Sequence, residues 1–279
     1  MTELSTTSVS APERDFADFR AEREAYTTGP RSPVHFAWGN HVESPRVRVL
    51  GSPGRWSPLA DGRAGLAVDA TVDDGIRIGG AVVDGRGELF WKAEDGPTVA
   101  ELPHGAEAVI FSYDGKRFAV QVWNDHSPWV ERFGGISAYP YDPAWRITAE
   151  VRPVHAGRTV AISHYRHPEP VPVAVIAELA FEVGGDPVRM LATRGQDGMS
   201  VQFRDATNGG ETYGAGRAVR VDPGSDPEHA IMDFNFSTLL PCAFSEAWNC
   251  PLPARENTLL FAVRAGERHA VDHSGAPML

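Results

Sequence analysis

The chain has 279 residues, with 26 basic against 37 acidic side chains and a formal net charge of −11. A chain this acidic lacks the basic face that recognition of a phosphate backbone needs, so nucleic acid is excluded as an expected partner. An apolar content of 42% suffices for a sizeable core and excludes disorder for most of the chain, while 28 glycines and 22 prolines favour turns over long helices.

Residues 1–9 read as a flexible N-terminus, and residues 1–12 hold no apolar run flanked by positive charge, so no secretory signal is expected. Ser10-Ala11-Pro12-Glu13 has the form of a capping box and predicts a helix over residues 10–29. Phe16, Phe19 and Tyr26 fall near one face, which predicts an aromatic edge docked on the rest of the fold, and Gly29-Pro30 supplies the stop. Residues 27–33 form the one candidate linker. Residues 30–279 are expected to build a single β-rich domain.

After Pro45 the pattern becomes short alternating runs broken by Asp-Gly turns. Asp84-Gly85, Asp114-Gly115 and Asp197-Gly198 each sit between two apolar runs and predict hairpins. Residues 145–152 alternate cleanly, as a half-buried antiparallel strand does. No helical tract separates successive strands, which leaves parallel βαβ units unsupported. The expected fold is mainly β, an antiparallel meander forming a barrel or a two-sheet sandwich, with one N-terminal helix. Residues 171–181, the longest apolar-rich tract, carry Pro172 and Glu178 and read as a buried strand, and no run reaches the ~18 apolar residues of a membrane span. The expectation is a soluble, cytoplasmic protein with no membrane partner.

The glycine-rich dinucleotide fingerprint, the P-loop, the lipase-type nucleophile elbow and the His-Glu-x-x-His zincin pattern are all absent from the sequence. Lys92 and Lys116 are the only lysines, and neither sits in a distinctive context for Schiff-base chemistry. His164 with His167 and His35 with His41 are the nearest histidine pairs, without the tight Cys/His spacing of a structural zinc site, so no metal and no cofactor are expected. Cys242 and Cys250, a sparse pair, read as two thiols rather than a structural disulfide in a reducing compartment. Trp38, Trp91, Trp123, Trp129, Trp145 and Trp248 are mostly core candidates.

The C-terminal third carries a distinctive series of blocks. Residues 203–217 contain Phe203-Arg204-Asp205-Ala206-Thr207-Asn208 and Thr212-Tyr213-Gly214-Ala215-Gly216-Arg217. Asp233-Phe234-Asn235, Pro241-Cys242-Ala243-Phe244, Cys250-Pro251-Leu252-Pro253-Ala254-Arg255-Glu256-Asn257 and Ala265-Gly266-Glu267 follow. With Phe133-Gly134-Gly135-Ile136 and Trp145-Arg146-Ile147-Thr148-Ala149 before them, these blocks resemble the signature of the bacterial domain-of-unknown-function 1684 family over about residues 111–268, and the chain reads as a divergent member. The resemblance implies little about activity. Family members usually carry an arginine after Asp-Phe-Asn, where this chain has Phe236, and the family's Leu/Trp-rich N-terminal tract is replaced by His35-Phe36-Ala37-Trp38-Gly39-Asn40-His41. If those positions line a pocket, this member handles a different ligand from its relatives.

Two readings of the polar signature follow. On the functional one, Tyr213, Asp233 and Cys242 perform acid–base or nucleophilic work on a small polar or anionic molecule at a loop-built pocket. Arg146, Asp205, Thr212, Arg217, Asn235, Glu256 and Asn257 then hold that ligand. On the structural one, Arg217 bridges Asp205 or Asp233 and Asn257 ties loop carbonyls, and the protein is a non-catalytic binding or interaction module.

Overall fold

Helix α1 (Ala11–Thr28) ends directly before Gly29-Pro30, where its sequence predicts a stop. The structure, a computed structural model, describes residues 11–91, 98–112, 114–164, 169–195 and 198–279. The Ser10 half of the expected capping box lies outside these residues, as do Lys92, His167 and Asp197. Among the described residues no helix is long and apolar enough to cross a membrane.

Packing divides the chain into two units, Thr28–Phe133 with Ser245–Trp248, and Met1–Thr27 with Gly134–Phe244 and Asn249–Leu279. The expected linker at residues 27–33 contains the first crossing between them.

The first unit holds β1 (Phe36–His41), β2 (Val47–Val49), β3 (Ser52–Pro58), β4 (Gly65–Ala70), β5 (Arg77–Ile78), β6 (Ala81–Val82), β7 (Gly85–Phe90), β8 (Val99–Glu101), β9 (Ala106–Phe111), β10 (Ala119–Asn124) and the short helix α2 (Pro128–Arg132). Six of these strands form one antiparallel sheet in the order β1-β10-β9-β8-β5-β6, and β2-β3-β4-β7 form another. Period-two burial is cleanest in β9, whereas β4 is buried on both faces from Gly65 to Val68. Ala106, Ala108 and Ile110 of β9 point inward and share a core with Trp56, Leu66, Val68 and Leu89 of the second sheet. Trp56 is fully buried there, although the sequence reading left it out of the tryptophan core.

Asp114-Gly115 turns β9 into β10, with Phe111 opposite Ala119. Asp84-Gly85 does not make the expected hairpin: β6 pairs with β5 and β7 with β4, so the chain changes sheet at this point. Gly79-Gly80, both at positive φ, close the true two-residue turn there.

The second unit holds β11 (Phe133–Ala138), β12 (Arg146–Arg152), β13 (Thr159–Ile162), β14 (Val171–Val183), β15 (Asp186–Gly195), β16 (Gly198–Phe203), β17 (Arg217–Pro223), β18 (His229–Asp233), β19 (Thr238–Leu239) and β20 (Glu267–Asp272). The ladder runs β12-β18-β17-β16-β15-β14, and β12 also pairs β14, with Val151 opposite Leu179. The ring closes, and these six antiparallel strands form a barrel. The long β14 serves three partners, pairing with β15 and offering residues 171–174 to β13 and residues 178–180 to β12. Residues 145–152 supply the half-buried strand expected of them. Inside the barrel pack Leu179, Met190, Val201, Phe203, Val219, Met232 and Phe234.

Helix α1 belongs to this unit and docks by two means. Phe16 and Phe19 meet the Phe236 ring at 5.8 and 5.0 Å between centroids, so Phe236 receives the helix. Arg20 and Arg23 converge on Glu267. Tyr26, expected on the docking edge, is instead 56% exposed, its ring 5.3 Å from the Arg23 guanidinium, while the next residue, Thr27, is buried.

Candidate functional site

The signature side chains fall into several groups. The most deeply buried centres on Arg217, the first residue of β17, which is wholly inaccessible. Its terminal nitrogens donate to Asp205 Oδ2 at 2.8 Å, to the Val263 and Glu267 carbonyls at 2.8 and 3.2 Å, and to the Ala265 carbonyl. The guanidinium lies 5.2 Å from the centroid of Phe203. Asp205 Oδ1 accepts from Thr207 N–H and Oγ1 at 2.8 and 2.6 Å, and from Val263 N–H at 3.2 Å. Thr212, also fully buried, meets Thr207 Oγ1 at 2.8 Å. A charge pair this deep is tolerated because each oxygen finds donors within the fold. Gly216, just before Arg217, has φ 102° and a Cβ there would lie 2.5 Å from the Phe203 carbonyl oxygen, so the glycine serves packing between β16 and its neighbour.

Asn257 is 3% exposed. Its Oδ1 accepts Leu191 N–H at 2.7 Å and its Nδ2 donates to the Leu191 and Gln202 carbonyls at 2.9 and 3.0 Å, filling backbone valences on β15 and β16. Glu256 beside it is exposed. Asn235, fully buried, clasps Asp142 through its N–H and carbonyl at 2.9 and 2.8 Å and donates to Asp233 Oδ1 at 2.8 Å.

Of the three residues expected to be catalytic, Asp233 alone lines a cleft. This cleft, about 880 Å³, lies between α1 and the outer face of β16, β17 and β18. Burial raises the Asp233 pKa above its usual value, opposed by the two donations from Asn235. Arg146 Nε stands 3.9 Å from Asp233 and Arg220 Nε 2.7 Å from Asp222. Asp15, Asp18 and Glu22 complete the charged wall, so five carboxylates face two guanidiniums. That balance repels an anion, and Arg146 leans on Asp233 instead of standing as an anion holder. Tyr213 and Cys242 meet elsewhere: the phenol donates to the Cys242 carbonyl at 2.8 Å.

Among the described residues no group of three or more His, Cys, Asp or Glu side chains is placed to hold a metal ion. His35 is buried with Nδ1 2.7 Å from Ser32 Oγ, whereas His41 is exposed; the His164–His167 pair has its second member outside the described residues.

A second cleft, about 780 Å³, lies in the sandwich unit among β2, β3, β4, β7 and the turns joining them. Arg46, Arg48, Arg55 and Arg86 line it with Asp69 and Asp74. Asp69 is shared by Arg46 at 3.5 Å and Arg86 at 3.3 Å, while Asp74 is engaged by Thr71 N–H and Oγ1 at 2.7 and 3.0 Å. Arg48 and Arg55 make no ion pair among the described residues. Arg46 adopts φ 61°, a sparsely populated conformation for a residue with a side chain, and its N–H donates to Ser57 Oγ at 3.0 Å. The sequence reading passed over this groove. The available signal was Arg46, Arg48 and Arg55, three arginines within ten positions of an acidic chain.

Residues 131–268 match the family model described as Protein of unknown function (DUF1684), a narrower span than the resemblance suggested. A solution NMR structure of an uncharacterised protein from Haloarcula marismortui is similar, with 32% identity and a TM-score of 0.41, over 49% of this chain and 77% of that one. No curated protein matches the chain. Through the matched signature, residues 131–268 of the chain are similar to the DUF1684 family of proteins of unknown function.

Proposed function

We propose that this protein is a binding module for a small anionic molecule, held in the arginine groove of the sandwich unit. The observation that carries the reading is the charge imbalance there. Four guanidiniums line the groove, two of them share one carboxylate, and Arg48 and Arg55 have no ion-pair partner among the described residues. Guanidinium groups present forked donors that match carboxylate and phosphate oxygens, and concentrating them in a chain of charge −11 opposes its overall field locally. The internal hydrogen bonding of Asp205, Thr212, Asn235 and Asn257, and of the terminal nitrogens of Arg217, supports the non-catalytic alternative, in which the signature frames the barrel.

The test is isothermal titration with inorganic phosphate and with succinate, on the parent chain and on Arg48→Ala and Arg55→Ala. One of these anions is expected to bind the parent, and each substitution should weaken it about tenfold, the loss of roughly one charged hydrogen bond. Binding unchanged in both variants, or absent from the parent, overturns the reading. A second reading, an enzyme acting on a small polar molecule under α1, is favoured by the half-buried Asp233 carboxyl opening on that cleft, since a raised pKa suits general acid–base work. Its test is whether Asp233→Asn alters the binding or turnover of a polar amine such as agmatine.

A further inference from the structure

Cys242 and Cys250 are the chain's two cysteines, and both are free and buried, 3% and 4% exposed. Buried thiols usually sit among apolar atoms and are inert. These two sit against each other. Cys242 occupies the short turn Pro241–Ala243, and its N–H donates to Cys250 Sγ at 3.1 Å. The Tyr213 hydroxyl reaches the same pair, donating to the Cys242 carbonyl at 2.8 Å. The neighbouring Cys250 side chain holds the Cys242 thiol below its ordinary pKa, while hydrogen bonding to Cys242 and burial push the Cys250 thiol up. Cys242 is thus the sulfur placed to react first, and Cys250, whose sulfur lies 3.1 Å from the Cys242 backbone nitrogen, stands beside it to resolve the product.

We propose that Cys242 and Cys250 form a reversible dithiol–disulfide couple oxidised by a peroxide. The Cys242 thiolate attacks one oxygen of hydrogen peroxide, the O–O bond breaks, hydroxide leaves, and Cys242 becomes a sulfenic acid. Cys250 then attacks that sulfur, the S–O bond breaks, and its proton leaves with the oxygen as water. Two thiols and one peroxide give one disulfide and two waters. A small-molecule dithiol reverses the reaction by thiol–disulfide exchange.

The segment spanned by the couple includes Ser245–Trp248, which belongs to the sandwich unit. There Ser245 Oγ donates to the Phe36 carbonyl at 2.8 Å and Trp248 Nε1 to the Pro33 carbonyl at 3.0 Å. Oxidation therefore closes a short covalent loop around the segment carrying these contacts.

The test treats the full native chain with hydrogen peroxide, quenches, denatures, alkylates with iodoacetamide and weighs the intact protein. The expected product is monomeric, two hydrogens lighter, alkylated at neither cysteine, and restored to two alkylations by dithiothreitol. Dimedone is expected to trap a sulfenic acid at position 242 in Cys250→Ser and none at position 250 in Cys242→Ser. Tyr213→Phe, which removes the hydrogen bond to the Cys242 carbonyl, should slow disulfide formation roughly fivefold, as loss of one hydrogen bond to a neutral acceptor does. Two alkylations after peroxide, a product confined to sulfinic or sulfonic acid, or an intermolecular disulfide each overturn the proposal. The parent-chain mass decides the matter even if a variant fails to fold.

Discussion

Arg23 of α1 and Glu267 of β20 lie 244 positions apart in the chain, yet Arg23 donates to both Glu267 oxygens, at 2.7 and 3.0 Å. Glu267 is fully buried and also accepts Leu239 N–H at 2.7 Å, with Arg20 behind at 3.5 Å. This contact explains the Ala265-Gly266-Glu267 block: the carboxylate is the socket for the N-terminal helix. Replacing Arg23 by Ala leaves a buried charge poorly compensated and should destabilise by about 3 kcal/mol. Urea unfolding followed by circular dichroism checks this, and a loss under ~1 kcal/mol would show that Arg20 takes over the pair.

Asn257→Ala removes an amide that serves three backbone groups of β15 and β16. Stranded buried donors and acceptors cost about 1–3 kcal/mol each before relaxation, so a loss of about 3 kcal/mol is expected in the same assay. The neighbouring Glu256→Ala, at an exposed position, should fall within about 0.5 kcal/mol of the parent.

Arg217→Lys keeps a charge opposite Asp205 but cannot reproduce the fork that reaches Asp205 and the carbonyls of residues 263, 265 and 267. A drop in Tm of several degrees is expected, with anion binding by the sandwich groove unchanged. Lost anion binding in a variant that still folds would return the signature to a functional role.

His269 is partly buried, and its Nδ1 has no hydrogen-bond partner among the described residues. Burial lowers its pKa below the ordinary 6.5. The folded state therefore favours the neutral ring, and the group's contribution is present above pH 6.5 and lost as pH falls through the folded value. Between about pH 7 and pH 5 the parent should lose stability more steeply than His269→Gln, as read from urea midpoints. Parallel slopes would remove His269 from the acid response.

Much of the architecture was legible because β structure writes itself in period two. The alternation in residues 145–152, the helix stop at Gly29-Pro30 and the Asp114-Gly115 hairpin all follow from local chemistry. The Asp84-Gly85 error has a clear cause: a turn signal shows where a chain reverses, not which strand it meets afterwards, and β7 finds β4. Ring closure through β12 and β14 was equally invisible, being a pairing of strands far apart in sequence. The polar blocks marked buried side chains, but polarity alone does not distinguish a group that binds a ligand from one that completes backbone hydrogen bonds. Asn257 and Arg217 look alike under both readings until their partners are seen. The groove arginines were missed for the opposite reason, since each taken singly resembles an ordinary solvated cation.

The union of β12 with β14 bears on how this unit behaves in a crowded solution. A sheet that meets itself offers no exposed row of amides and carbonyls along the ring on which a second chain might template itself. Two strands of that sheet stand outside the circle, β13 paired to β14 and β19 paired to β17, and they are four and two residues long. Resistance to strand-by-strand self-association is thus built into the ring, and growth of this sheet by added strands would have to begin at residues 159–162 or 238–239.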